Sequence, residues 1–266
     1  VFFRNLIGMT IFLSIVCWKG FGFLKTERIW GHFQRNFYNF IGMWLWFIAL
    51  AALPIATAVS LHFTVPLMVV VLAIFFLGER PGMGRLIPTF IGFLGILIIL
   101  RPGVLTITPA AFLVLGSALA YAGVAIYTRS LGVTDHPNTT TFYYQLMLTT
   151  FSAASMGFGY FLAISFPELG ISKSDFIWVA PQLGDVPALL LLAIAGTLAP
   201  YCLVRALVHA EATIIEPIEY LRLPISAGIA WLLFGQNTDL WTWVGAVVIA
   251  GSTLFMAQNE TRAASK

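Results

Sequence analysis

Apolar runs of about 17–25 residues, the length of a membrane-crossing helix, follow one another along almost the whole chain. They read as nine spans, over 1–18, 36–53, 55–77, 84–100, 109–128, 138–163, 187–207, 213–234 and 241–257. Pro and Gly mark the breaks at Leu53-Pro54, Arg80-Pro81-Gly82, Arg101-Pro102-Gly103 and His136-Pro137. Inside hydrocarbon every backbone N–H and C=O must bond within the protein, which leaves helices or a closed barrel. Barrel strands would give alternating segments of roughly ten residues. These runs are continuous and twice as long, so the pattern predicts an all-α, polytopic transmembrane bundle. Two connections are longer. Residues 19–35 are basic and aromatic, and 164–186 hold Glu168, Asp175 and Asp185 against Lys173.

Composition sharpens this picture. Of 266 residues, 59% are hydrophobic and 9% charged, against roughly 25% charged in a soluble domain. A lipid bilayer is therefore the expected partner, with no attached soluble domain. A net charge of +3 is too small to suggest nucleic acid, but its placement is informative. Lys19, Lys25, Arg28, Arg35, Arg80, Arg85, Arg129, Arg205, Arg262 and Lys266 fall on one side of the alternating spans. Arg4, Arg101 and Lys173 fall on the other. Lys and Arg collect on the cytoplasmic side, which puts the C-terminus inside and Val1 outside. A tenth span before Val1 would bring both ends inside. The first run begins with Arg4 and has no small-residue cleavage site after it, so it does not read as a signal peptide. Cys17 and Cys202 lie in apolar runs as small hydrophobes. No disulfide, metal or cofactor is expected.

The two halves repeat. Ala56-Thr57, Pro66 and Leu77-Gly78-Glu79 recur as Ala212-Thr213, Pro224 and Phe234-Gly235-Gln236, and Gly92-Phe93-Leu94-Gly95-Ile96 as Gly245-Ala246-Val247-Val248-Ile249. An odd number of spans separates equivalent helices, so the repeats, 1–106 and 107–266, have opposite orientations. Inverted repeats are an architecture of secondary transporters, with the substrate site near midplane.

These stretches resemble a known family. Ala51-Ala52-Leu53-Pro54-Ile55-Ala56-Thr57-Ala58, Phe63-Thr64-Val65-Pro66-Leu67, Leu77-Gly78-Glu79-Arg80 and Ile99-Leu100-Arg101-Pro102-Gly103 look like the first EamA repeat of the drug/metabolite transporter superfamily. Glu219-Tyr220-Leu221-Arg222-Leu223-Pro224 with Leu232-Leu233-Phe234-Gly235 looks like the second, and Phe2-Phe3-Arg4-Asn5 is similar to the start of the family's second helix. The resemblance implies ten helices in two inverted repeats of five around a central cavity, nine of them visible here. Glu219 stands where the family often has Asp, which bears on the site. Gln236 stands where it usually has Glu, which reads as the loss of a surface charge.

Chemistry concentrates in span 213–234. Glu216, Glu219 and Arg222 interrupt an apolar run that also holds Pro217 and Pro224. A charge near the bilayer centre costs about 2.5–3.5 kcal/mol, so these groups need partners or a function. At about 1.5 Å per residue, Arg222 lies roughly 13 Å along the span. Glu219 and Arg222 are three apart and share a face, with Ser226 one turn further. In the functional reading Arg222 holds an anionic group, and Glu219 or Glu216 a cationic group or a proton. The alternative is a structural Glu219–Arg222 pair, with Glu216 reaching cytoplasmic water. Each Pro frees a helix carbonyl, and Pro66, Pro217 and Pro224 predict kinked, cavity-lining helices.

By repeat symmetry, His62 and Phe63 face the cavity opposite Glu219. His62 exchanges a proton or simply packs. Tyr144 and Gln145 line the cavity, the alternative being that the tyrosines, Tyr143 and Tyr144, anchor at the interface. Arg4 and Asn5 lie at the outer end of the first run, where Arg4 draws in anions or snorkels. Trp30, Trp178, Trp241 and Trp243 read as interfacial anchors. Trp44 and Trp46 lie deeper, and one, Trp46, forms a cavity wall. Gly92, Gly95, Gly245 and Gly251 permit close helix packing, here within a monomer, a homodimer being the alternative.

The expected activity is alternating-access transport of a small polar or amphipathic metabolite across the bacterial inner membrane. An amino acid or its derivative best fits a Glu/Arg pair, driven by protons or exchange. No phosphate-binding loop and no hydrolase or metalloprotease motif is present. The alternatives are a membrane-embedded enzyme and a metabolite-binding subunit that transports nothing.

Overall fold

A computed structural model describes residues 2–53, 55–101, 108–165, 182–234 and 240–264. Among them every regular element is helical. The first helix, α1 (Phe2–Lys19), leads through a 3₁₀ turn (Phe21–Leu24) to α2 (Ile29–Leu50). Next come α3 (Ile55–His62) and α4 (Val65–Leu72), the latter extended by a π-helical turn (Ala73–Leu77), then α5 (Met83–Leu100) and α6 (Pro109–Leu131). After α7 (Pro137–Ser165) and α8 (Val186–His209), a broken span follows: α9 (Ala212–Ile218), a 3₁₀ turn (Glu219–Leu221) and α10 (Arg222–Phe234). The last helix is α11 (Leu240–Ala264). Pro109–Leu131, Val186–His209 and Leu240–Asn259 are each long and apolar enough to cross a membrane. Large apolar side chains such as Phe75, Leu191 and Val247 point outward. That would be a liability in water but is ordinary in lipid. The protein is an all-α, polytopic membrane bundle.

Three elements differ from the sequence expectation. The second span begins at Ile29 rather than 36, because His32, Arg35, Asn36 and Asn39 are buried in protein, so their polarity does not end the helix. Two spans are broken rather than bent. Pro66 sits in the first turn of α4, where its missing N–H costs nothing, and the chain turns at Phe63-Thr64 with the Thr64 hydroxyl on Leu61 O at 2.7 Å. The other break, Glu219–Leu221, falls between Pro217 and Pro224. Trp178, Glu168 and Asp175 lie outside the described residues.

The chain separates into two compact units. The first comprises Val1–Asn36 and Leu131–Ala206. There α1 packs on α7 and α8. A side chain at Gly8 would collide with Gln145 and Thr197, Arg4 lies on Gly196, and Phe12 meets Tyr201 at 6.5 Å between ring centres. These pairs ascend together, so α1 and α8 run parallel, as spans one and seven of an alternating series must.

The second unit comprises Phe37–Ser130 and Leu207–Lys266. Its core joins Phe63, Ile96, Tyr220 and Ile249. Here α5 crosses α11 antiparallel, as spans four and nine must: Ile99 meets Gly245, Gly95 meets Ile249, Gly92 meets Ser252 and Gly84 meets Asn259. A Cβ on Gly95 would stand 3.1 Å from Gly245 O, and one on Gly245 would stand 2.6 Å from Gly95 O, so both glycines are required by backbone approach. Gly251 differs from expectation and faces open space. Pro88 inside α5 cannot donate to Gly84 O, and Asn259 Nδ2 of α11 donates there instead at 3.3 Å. Gly78 ends the π turn at φ 68°, a conformation that favours glycine.

Candidate functional site

The broken span of the second unit brings the expected charges together. Arg222 and Glu219 form an ion pair at 3.7 Å, with side chains 63% and 41% exposed. The Arg222 guanidinium lies over the Phe63 ring, 5.2 Å from its centre. Phe63 is itself buried and meets Tyr220 at 6.3 Å. Phe63 therefore presents a face to Arg222 from the core rather than standing open opposite Glu219. Glu216 departs from the cytoplasmic-water alternative: it is 5% exposed, buried with Thr213 and Pro217 on α9. Because the chain breaks at Glu219–Leu221, the two acids take opposite environments within one turn. Ser226 falls on α10, but its side chain lies outside the described residues.

His62 ends α3 between two aromatic rings, Trp46 of α2 at 4.8 Å and Tyr121 of α6 at 5.2 Å, both edge-on. Its Nε2 is buried with no hydrogen-bond partner among the described residues. Trp46 thus walls His62, while Trp44 stands more exposed beside Phe40. Ser117 on α6 donates to Gly42 O of α2 at 2.8 Å and fixes the two helices that form this aromatic box.

Arg4, Asn5, Tyr144 and Gln145 belong to the first unit. Arg4 Nη2 donates to Asn5 Oδ1 at 3.2 Å. Gln145 Nε2 donates to Thr197 Oγ1 at 2.8 Å. Asn5 and Gln145 are fully buried, and Asn5 Nδ2 and Gln145 Oε1 have no partner among the described residues. Gln145 is thus an interior group of the first unit. Its partner Thr197 helps line a cavity of about 370 Å³ with Phe12, Asn138 and Tyr201. Tyr144 carries the Arg35 guanidinium over its ring at 5.4 Å. Arg35, counted from sequence as a charge in a basic connection, is buried.

Two polar clusters escaped the sequence reading. In the first unit Asp135 accepts from the Thr26 hydroxyl at 2.6 Å and pairs with His32 Nε2 at 2.6 Å, and the His32 ring stacks on Tyr143 at 4.8 Å. In the second unit Glu79 accepts from the backbone N–H of Ala212 and Thr213 at 3.0 and 3.1 Å. The acid of Leu77-Gly78-Glu79 is therefore a buried helix cap, while Gln236, its counterpart in the repeat, lies outside the described residues. For Glu79 the sequence signal was the repeated Leu77-Gly78-Glu79, and for Asp135 an acid in a short connection, but spacing along the chain cannot pair residues over 100 positions apart.

Residues 1–101 and 108–258 match the EamA-like transporter family. Over 265 residues, all of this chain and 85% of the relative, the sequence is 31% identical to an S-adenosylmethionine uptake transporter of Rickettsia bellii (strain RML369-C). It is 33% identical to a riboflavin transporter of Rhizobium johnstonii (strain DSM 114642 / LMG 32736 / 3841) over 244 residues, 91% of this chain and 75% of that one. A solved crystal structure has the same fold, with TM-score 0.77 at 15% identity over 98% of this chain and 86% of its own. Matches spanning both halves of the chain carry the conclusion that the motifs at Leu77-Gly78-Glu79-Arg80 and Glu219–Pro224 pointed to: this chain belongs to the EamA-like transporter family of the drug/metabolite transporter superfamily.

Proposed function

We propose that this protein is a secondary transporter of the bacterial inner membrane that moves a small charged metabolite by alternating access, with no bond made or broken in the cargo. The observation that carries this reading is the open Glu219–Arg222 pair in the middle of an apolar span. Lipid does not solvate two exposed charges, and intramembrane ions face a water-filled path or the bundle interior. A purely structural pair would be expected to close off from solvent. This one offers each charge to a visitor, and the break at Glu219–Leu221 also frees backbone groups to line a cavity.

The pair suits a zwitterion, its carboxylate on Arg222 and its cationic group on Glu219. Phe63 beneath Arg222 holds the guanidinium plane in place. The relatives named for S-adenosylmethionine and riboflavin move the cargo from a free amino acid toward a larger, ring-bearing metabolite. S-adenosylmethionine, an amino-acid derivative with a carboxylate, cationic groups and a heteroaromatic ring, fits both the pair and those names. In this reading Arg222 and Glu219 are contact residues, and His62 and Trp46 form a supporting wall. The two inverted repeats, 1–106 and 107–266, supply the two alternating arrangements.

Uptake of labelled S-adenosylmethionine into proteoliposomes, with labelled riboflavin in parallel, tests this. Uptake is expected for the wild type and is expected to fall at least tenfold in Arg222→Ala at unchanged thermal stability. Wild-type uptake by Arg222→Ala removes Arg222 from the site. Failure of the wild type to take up either compound overturns the cargo class.

A further inference from the structure

We propose that Glu79 is a positioning residue for the substrate-binding segment, setting from outside that segment where Glu219 and Arg222 stand. The inference rests on the reading of that pair as the binding site. Tyr220 anchors the turn of this segment in the core, but the start of the segment has few hydrogen bonds of its own. Helix α9 is seven residues long and ends in the Glu219–Leu221 turn, and helices so short do not persist alone. Its own N-cap residue, Glu211, makes no side-chain cap bond. The first N–H groups of α9 are taken instead by Glu79, which follows the π turn after α4. One carboxylate oxygen accepts from Ala212 N at 3.0 Å and the other from Thr213 N at 3.1 Å. The Glu79 side chain is 6% exposed, so water does not compete for these bonds, and its charge meets the positive end of the α9 dipole.

The opposite charge completes the reversal between α8 and α9. Arg129, at the end of α6, donates to Leu207 O and Val208 O in the last turn of α8 at 2.8 and 2.9 Å. Its Nε lies 3.9 Å from Glu79 Oε1. Arg85 of α5 bonds Glu211 and reaches Thr213 Oγ1 at 3.2 Å. The entry to the binding segment is thus clamped by side chains of three other elements, of which Glu79 alone binds its backbone at both first positions. From Thr213, two short turns of chain reach Glu219 and Arg222. A shift at the clamp therefore passes directly into the geometry of the pair. This gives the Leu77-Gly78-Glu79 signature a purpose: Gly78 turns the chain in a left-handed conformation so that the next residue aims its carboxylate at α9.

The test uses the full chain with Glu79→Gln, which keeps one acceptor oxygen, and Glu79→Ala, which keeps none. Amide hydrogen exchange in detergent is expected to quicken across 212–222 by about tenfold or more in Glu79→Ala and by less in Glu79→Gln. Exchange at the α5–α11 crossing is expected to stay at the wild-type rate. In proteoliposomes loaded against labelled S-adenosylmethionine, Glu79→Gln is expected to raise KM severalfold with a smaller change in maximal rate. Unchanged exchange at 212–222 overturns the proposal, and so does equal loosening of the α5–α11 crossing, which would mark a general loss of stability. Loosened exchange with wild-type KM overturns it too. If the wild type takes up neither labelled compound, the binding-site reading fails, and the exchange result still decides whether Glu79 positions the segment.

Discussion

Arg222 meets two partners, the Phe63 ring and the Glu219 carboxylate, while Glu216 six positions earlier is enclosed. Three ionisable groups within one stretch of sequence therefore meet three environments, and only two of them are open to a cargo. The same kind of contact defines His62, held edge-on by Trp46 and Tyr121. Each such aromatic pair contributes about 0.5–1.5 kcal/mol beyond burial, so the geometry favours a ring used for packing. His62→Phe keeps the ring and removes both nitrogens. It is expected to keep its unfolding temperature within a few degrees, and its S-adenosylmethionine uptake is expected to keep the wild-type dependence on pH. Loss of uptake at unchanged stability would show that the imidazole carries a proton or binds the cargo. Sequence made these residues visible because an ion or imidazole in an apolar run stands out. It could not show that Phe63 is the floor under Arg222, since that contact joins residues 159 positions apart.

At the scale of elements, the breaks in the chain matter more than the helices. Pro66, Pro217 and Pro224 were legible as disruptions. Whether each would bend or break its helix depended on neighbours that satisfy the freed groups, such as Thr64 on Leu61 O. The glycines show the same dependence. Gly245 and Gly251 stand six residues apart on α11, yet a Cβ on Gly245 would press on the backbone of α5 and one on Gly251 would meet nothing. Gly245→Val is expected to cost about 1–3 kcal/mol by overpacking, with the upper end favoured because the obstacle is a carbonyl oxygen. Gly251→Val is expected to be neutral or slightly stabilising, since glycine is a poor helix former. Thermal unfolding in detergent compares them, and equal losses in the two variants would contradict the α5–α11 crossing described here.

For the whole molecule, the expected orientation rests on the placement of Lys and Arg, ten on one side of the spans and three on the other. The structure moves Arg35 into the interior without reversing that balance. A fluorescent protein fused after Lys266 is therefore expected to glow in bacterial cells, and an alkaline phosphatase fused there to stay inactive. The opposite pattern would invert the assigned topology. The sequence by itself determined the class, the number of visible spans, their alternation and the family, because hydrocarbon imposes one length and one backbone solution on every crossing segment. The parallel course of α1 with α8 and the antiparallel crossing of α5 with α11 agree with that alternation. Tertiary structure alone decided which charges stay open and which are enclosed, which glycines touch backbone, and which distant acid caps the segment bearing Glu219 and Arg222. Those outcomes depend on side chains meeting across more than 100 residues of chain, and periodicity along one helix holds no information about what another helix brings to it.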